Sequence, residues 1–500
     1  MVSLDTSLID IIFNFHIDSG LVKLSLNRFV LIFLKIDSYS GVYTGITLSS
    51  MTEQNKFKLC ILPTQMGKTF VTINKILEEI KHDPTKGRSV HFVLTMNTLL
   101  NNKQFANRLS DIKEEHGENS VAIFASTYKG DLTHIDSLCK LISFSKDPAK
   151  MPKIIVACSN YRRFDDCFKY MEFLNNNETA IARSFVYFDE LHKYIKSKKA
   201  DIRGNIEKMD DYDIVHGIMA MTATPDVLWN KSNEDPDDYW SKITIINIAE
   251  HNENNYVGWE DMAFYHSKFV LEDDSNEEDL YYNELYNIKY AEEIIYKNPE
   301  ILAEGSRSFI PATRKRKTHN MIRSMVMRVN PDTVVVTLNG VEKNICYLDK
   351  EGKIAKIDLV LKSGELGDLI ALHLHENMIF NRPLVVTGYL CVGMGQTLVS
   401  KDLGAFTTAI LGYSKITNDN LYQLFGRITG RIKSWVDNPI KTQVFCSRIN
   451  STICKKMEEC AKNIVAKHNG KQLGNDKYRE PINEDKDIIK NFAGINILED

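Results

Sequence analysis

Two short segments hold the residues with the most chemistry in them. Ile61-Leu62-Pro63-Thr64-Gln65-Met66-Gly67-Lys68-Thr69 leads from an apolar run into a helical pattern that begins at Phe70. A loop placed this way turns backbone N–H groups toward phosphate, so Thr64, Gln65, Met66 and Gly67 are candidates to cradle a nucleotide. Lys68 can reach the β- and γ-phosphates, and Thr69 offers a hydroxyl to magnesium. Leu62 stands where the general phosphate-loop pattern has its first glycine, and a chance Gly-Lys-Thr at a helix start is the bland alternative.

About 120 residues further on, Phe185-Val186-Tyr187-Phe188 ends in Asp189-Glu190-Leu191-His192. An acid at the end of a parallel strand beside such a loop can hold Mg²⁺ through Asp189, with Glu190 placed to orient or deprotonate the attacking water. The pair could instead cap a following helix, a common role for acids there. The upstream loop tips the balance toward catalysis.

These segments need a scaffold that sets strand ends side by side. From Phe57 onward, apolar runs alternate with helical patterns: 57–62, 91–94, 153–157, 184–188 and 217–221. Nearly continuous apolar strands separated by helices indicate a buried parallel sheet. After Pro225 the chain turns acidic, at 233–238 and again at 272–279, which marks a boundary or an inserted connector. A second alternating region follows, with strands expected at 308–311, 333–337, 384–387, 408–411 and 442–446, then an amphipathic helix over 451–467 and a polar, peripheral tail. The organisation expected is an N-terminal extension (1–50), a first α/β domain (51–249), an acidic connector (250–300), a second α/β domain (301–450) and a C-terminal helix and tail (451–500).

Composition narrows the class. Five hundred residues exceed what one hydrophobic core serves. With 43% apolar residues and a net charge of −4, the chain is a folded protein whose nucleic-acid surface, if it has one, is a local patch. Nine scattered cysteines without a Cys-x-x-Cys pair read as reduced thiols without zinc, pointing to an intracellular protein, cytoplasmic or nuclear. The apolar run at 29–34 is too short to span a bilayer, and no membrane association is expected.

Taken together, the motifs resemble those of superfamily 2 helicases. The loop Pro63 to Thr69 is similar to that family's Pro-Thr-Gly-Ser-Gly-Lys-Thr, and Asp189-Glu190-Leu191-His192 to its Asp-Glu-x-His box. Thr222-Ala223-Thr224-Pro225 resembles its Ser/Thr-Ala-Thr motif, Gly393 to Leu398 its glycine-bearing motif, and Tyr422-Gln423-Leu424-Phe425-Gly426-Arg427-Ile428-Thr429-Gly430-Arg431 its Gln-x-x-Gly-Arg-x-x-Arg motif. Composition and box type resemble helicases of large DNA viruses and restriction-type translocases.

The resemblance implies a phosphate-loop NTPase of two RecA-like parallel-sheet domains in tandem, using ATP and Mg²⁺. It implies that Gln423 and Arg427 complete the site from the second domain, with Arg427 an arginine finger on the γ-phosphate. Gly395 would contribute to cofactor binding, and His192, Thr222 and Thr224 would couple hydrolysis to movement. The family's second arginine falls where Gly430 stands, so either the loop bulges by one residue and Arg431 reaches the nucleotide, or Arg431 is no finger.

Nucleic acid would lie across Thr95 and Asn97, then Asn160, Arg162 and Arg163, and in the second region Arg307 and Thr387. The run Arg314 to Lys317 is more simply a solvated face. The function expected is ATP-dependent movement along, or unwinding of, DNA or RNA. The alternatives are a nucleic-acid-stimulated ATPase that remodels protein–DNA or transcription complexes, and a non-catalytic binding scaffold, with protein partners engaged through the acidic connector or tail.

Overall fold

The computed structural model describes residues 56–95, 120–128, 132–147, 150–195, 201–225, 243–246, 253–266, 286–360, 365–389, 398–412 and 417–468, with isolated positions at 105–119 and 239. Before residue 56 it describes three short strands, β1 (Phe15–Asp18), β2 (Leu21–Ser25) and β3 (Leu31–Lys35), paired antiparallel into a sheet of their own. The acidic runs at 233–238 and 272–279, the polar tail beyond 468, Asn97 and Gly395 lie outside the described residues.

The first large sheet is built from β4 (Phe57–Ile61), β5 (Ser89–Thr95), β6 (Val121–Phe124), β7 (Thr133–Ile135), β8 (Ile154–Cys158), β9 (Arg183–Asp189), β10 (Val215–Thr222) and β11 (Thr244–Ile246). Its order is β11-β4-β10-β9-β5-β8-β6-β7 and every pairing is parallel. Helices α1 (Lys68–Lys81), α2 (Leu138–Ser145), α3 (Tyr161–Asn176) and α4 (Ile202–Asp210) connect the strands. Crossover helices cover both faces of a parallel sheet, which is why β5 and β8 are buried at every position.

The second sheet contains β12 (Ala263–His266), β13 (Arg307–Phe309), β14 (Val334–Leu338), β15 (Lys343–Leu348), β16 (Ile354–Asp358), β17 (Leu384–Gly388), β18 (Thr408–Leu411) and β19 (Gln443–Cys446), in the order β12-β19-β18-β13-β17-β14-β15-β16. It is parallel except at one edge, where β15 and β16 pair antiparallel. Its helices are α5 (Tyr286–Lys297), α6 (Arg316–Val329), α7 (Leu366–Glu376), α8 (Asn418–Phe425) and α9 (Arg448–His468). Among the described residues no helix is long and apolar enough to cross a membrane.

Each apolar run expected to form a strand does so within a few residues. The strands missed are short (β6, β7, β11, β12) or belong to the edge hairpin, where β16 buries little and alternates between exposed and half-buried positions. The amphipathic helix expected over 451–467 is α9, and it serves both halves of the molecule. Ile453, Cys454 and Met457 are part of the second sheet's core, whereas Cys460, Ala461, Ile464 and Val465 are part of the first sheet's core.

One core residue reports on pH. His91 on β5 is fully buried, stacks on Phe185 with ring centres 4.9 Å apart, and sets Nδ1 3.2 Å from the Tyr187 hydroxyl. Burial pushes its pKa down to about 3. The imidazole is therefore neutral in the fold but titrates near 6.5 when unfolded, so its contribution to stability is complete above about pH 6.5 and is lost as pH falls toward 3. Unfolding free energies from urea titrations between pH 7 and pH 4 should decline more shallowly in His91→Phe, by up to about 1.4 kcal/mol per pH unit. Parallel profiles for the two proteins would contradict this.

Candidate nucleotide site between the two sheets

The loop after β4 is tied at its start, where the Leu62 N–H donates to the Thr222 carbonyl at the end of β10, 3.0 Å away. It then turns through two left-handed residues, Gln65 (φ 61°) and Gly67 (φ 98°), before α1 begins at Lys68. Glycine meets the second turn without strain, whereas Gln65 takes it at a cost of order 1 kcal/mol or more. Val71, Thr72, Ile73 and Ile76 bury one face of α1 and fix the direction in which Lys68 emerges.

Register brings the acids to the same edge. Asp189 pairs with Met221 across β9 and β10, and Met221 pairs with Cys60 on β4. Glu190 leaves β9 in the left-handed region (φ 55°), held by its N–H to the Met221 carbonyl at 2.9 Å. A non-glycine residue in this conformation needs surroundings that over-determine it.

Those surroundings are a closed polar cluster. Lys68 Nζ lies 3.2 Å from Glu190 Oε1, with both side chains about nine-tenths buried. Glu190 Oε2 accepts from Gln423 Nε2 at 3.2 Å and lies 3.3 Å from His192 Nδ1. His192 Nδ1 also faces the Thr222 hydroxyl at 2.9 Å, and His192 Nε2 faces the Gln423 amide nitrogen at 3.3 Å. Because that amide nitrogen can only donate, Nε2 must accept and Nδ1 carries the proton. The Thr224 N–H donates to the Thr222 hydroxyl at 3.0 Å, extending the chain into the next motif.

Electrostatics separates the two carboxylates. Burial, followed by the charge of Glu190, raises the Asp189 pKa. Burial would raise Glu190 too, but Lys68, then His192 and Lys193, outweigh it and hold Glu190 ionised. Burial lowers His192 to about 4, so the imidazole is neutral, and lowers Arg427 to about 10, which leaves the guanidinium charged at neutral pH.

Residues 422–430 close the site from the other sheet. Arg427 is buried, with Nε donating to the Gln423 carbonyl at 3.1 Å and its charge acting on Glu190 and Asp189. The Thr64 N–H donates to the Tyr422 hydroxyl at 3.3 Å, and the Thr429 hydroxyl reaches the Thr64 carbonyl at 3.2 Å. Gly426 is the point of closest approach, since a Cβ there would sit 2.2 Å from Thr64 Oγ1. Gly430 pairs antiparallel with Val257 through hydrogen bonds of 2.7 and 3.1 Å, at φ 150°.

Phosphate-loop strand and acid strand flank a single intervening strand, all three loops leave one edge, and a second parallel sheet delivers Gln423 and Arg427 to that edge. The fold is a tandem pair of RecA-like domains. Neither a protein-family model nor a curated protein sequence matches the chain. Among solved structures it is similar to Dbp5 of S. cerevisiae bound to RNA and ADP BeF3, at 10% identity and a TM-score of 0.40 over 88% of this chain and 90% of that one. It is also similar to Mss116p bound to ssRNA and AMP-PNP, at 11% identity and a TM-score of 0.43 over 87% of this chain and 74% of that one. A third is the DUF1998 helicase MrfA bound to DNA, at 15% identity and a TM-score of 0.42, where 82% of this chain spans 49% of that one.

The RecA-like frame places the remaining candidates unevenly. Thr95 and Asn160 lie at the ends of β5 and β8 on the same edge as the phosphate loop, and Thr387 is buried near the end of β17. Arg162 is exposed at the start of α3, next to Asn160, whose side chain accepts from the Arg163 N–H and caps that helix. Two arginines expected to face nucleic acid are engaged elsewhere. Arg163 is buried, 2.8 Å from Asp166 and 4.0 Å from the centre of the Phe124 ring. Arg307 begins β13, at the opposite strand end, and donates to the carbonyls of Ser306, Arg382 and Phe380.

Arg431 lies close to the phosphate-loop helix. Gly430, at the position of the family's second arginine, is committed to backbone pairing, and the Arg431 guanidinium stands 5.5 Å from the ring of Phe70 beside the first turn of α1. Tyr256, which reaches the Thr64 carbonyl, and Glu458, which holds the Tyr256 hydroxyl, are not among the residues the motifs single out, because nothing in their local spacing marks them. For the magnesium implied by the motifs, the hard oxygen donors Thr69 and Asp189 fit an ion that keeps waters and phosphate oxygens as its other ligands.

Gly426→Ala should lower unfolding stability by about 1–3 kcal/mol through overpacking against the phosphate loop. Thr64→Ala in that background removes the nearest atom and should restore part of the loss, a coupling readable in a double-mutant cycle. Strict additivity of the two changes would contradict the close approach.

Proposed function

We propose that the chain hydrolyses ATP in the cleft between its RecA-like domains and uses the cycle to move along, or unwind, nucleic acid. The observation that carries this reading is the convergence of Lys68 and Glu190 from one domain with Gln423 and Arg427 from the other. A site completed only when two domains meet makes hydrolysis depend on their closure, which is the requirement for converting turnover into motion.

In this mechanism the triphosphate competes with Glu190 for Lys68, whose ammonium leaves the 3.2 Å ion pair for the β- and γ-phosphates. Glu190, kept ionised and aimed by Gln423 and the neutral His192, then accepts a proton from the attacking water. Arg427 neutralises charge that develops on the γ-phosphate oxygens. Thr69 and Asp189 would hold Mg²⁺, which supplies charge neutralisation on the phosphates when bound. His192 touches both Glu190 and Thr222, so a change at the γ-phosphate is passed to the Thr222-Ala223-Thr224 segment. Nucleic acid would pass the strand ends at Thr95 and Thr387 and the start of α3 at Asn160 and Arg162, where small polar groups and backbone amides suit phosphate contact without base reading, with Asn97, outside the described residues, a further candidate.

ATP turnover titrated with single-stranded DNA, duplex DNA and RNA tests the reading, and at least one of them should raise the rate. Lys68→Ala should abolish turnover, and Glu190→Gln should do so while retaining ATP binding. Arg427→Ala should slow turnover by about 10³-fold or more. Wild-type turnover in any of the three, or a rate indifferent to every polynucleotide, would overturn the assignment.

A further inference from the structure

The last helix reaches the phosphate loop. Midway along α9, where its apolar face passes from the second core to the first, stands Glu458, only 2% exposed. Its Oε2 accepts from the Tyr256 hydroxyl at 3.0 Å and from the Trp259 N–H at 3.3 Å, and its Oε1 accepts from Lys462 Nζ at 2.7 Å. The same Tyr256 hydroxyl lies 3.0 Å from the Thr64 carbonyl in the phosphate loop. Gly258 permits the approach, because a Cβ there would come 2.2 Å from Glu458 Oε1.

A buried carboxylate is costly to keep for stability alone, and an apolar residue on this helix face would fill the space more cheaply. What the carboxylate adds is direction: it fixes the phenol, and the phenol's single proton is shared between Glu458 and the carbonyl of Thr64. Thr64 immediately precedes Gln65, Met66 and Gly67, so the height of its carbonyl sets where the phosphate-facing N–H groups point.

We propose that Glu458 and Tyr256 are positioning residues that set the affinity of the phosphate loop for nucleoside triphosphate from the C-terminal helix. The proposal rests on the ATP-binding reading above. Because α9 belongs to both cores, any shift of one domain against the other moves Glu458, and the loop's affinity for nucleotide follows domain closure.

The test measures the dissociation constant of the full-length protein for Mg·ATP by calorimetric titration, alongside Tm. Tyr256→Phe, which keeps the ring and removes only the hydroxyl, should weaken binding about five- to tenfold with little change in Tm, the size expected for one hydrogen bond. Glu458→Ala should weaken it at least as much. Glu458→Gln keeps an acceptor for the phenol and should bind within about twofold of wild type. Cys454→Ala, in the same helix but in the second core, should lower Tm and leave affinity unchanged. Wild-type affinity in Tyr256→Phe and Glu458→Ala, or an affinity that tracks Tm across all four variants, overturns the proposal while leaving the nucleotide site standing. Absence of ATP binding by the wild-type protein overturns both.

Discussion

Lys68 and Glu190 are opposite charges 3.2 Å apart in a place nearly closed to water, and the rest of the site is arranged around that pair. Such a pair gains little net stability over apolar packing, yet losing either partner leaves an uncompensated buried charge. Everything that touches Glu190 therefore serves to keep it charged and aimed: its left-handed backbone, the amide of Gln423 and the imidazole of His192. On the proposed reading the pair also defines what must change when a triphosphate binds, because Lys68 cannot satisfy Glu190 and a phosphate at full strength together.

Closure of the cleft depends on equally local facts. Gly426 lets the second domain come within contact of Thr64, and Gly430 sits where a Cβ would lie 3.6 Å from that of Gln65. Arg108 of the first domain pairs with Glu365 at the start of α7, adding a charged contact between the two halves. A site held from one side by side-chain hydroxyls and from the other by an ion pair is poised for small rotations to make or break several contacts at once.

Much of this is legible in the order of residues alone. Long apolar runs ending in chemistry-bearing residues, at Ile61, Phe188 and Met221, specify both the parallel sheet and the edge on which the site lies, since a buried strand leaves only its ends for function. Short strands such as β7 and β11 leave no periodic signal in three residues. Arg163 and Arg307 mislead because a cation beside a strand reads the same whether it faces solvent or packs on an aromatic ring, as both do here. Glu458 is hidden for the opposite reason: one acid on an amphipathic helix looks like its solvated face, and only the wedging of α9 between two cores buries it.

On the proposed function, one nucleotide site is shared by two RecA-like domains and ATP displaces Glu190 from Lys68. The most direct measurement is a crystal structure of the full chain with Mg²⁺ and a non-hydrolysable ATP analogue. Lys68 should lie on the β- and γ-phosphates, Glu190 should be released toward the position of the attacking water, and Arg427 should stand within hydrogen-bond reach of the γ-phosphate. An analogue bound elsewhere, or bound in the loop with the Lys68–Glu190 pair intact and Arg427 still turned to its own helix, would contradict it.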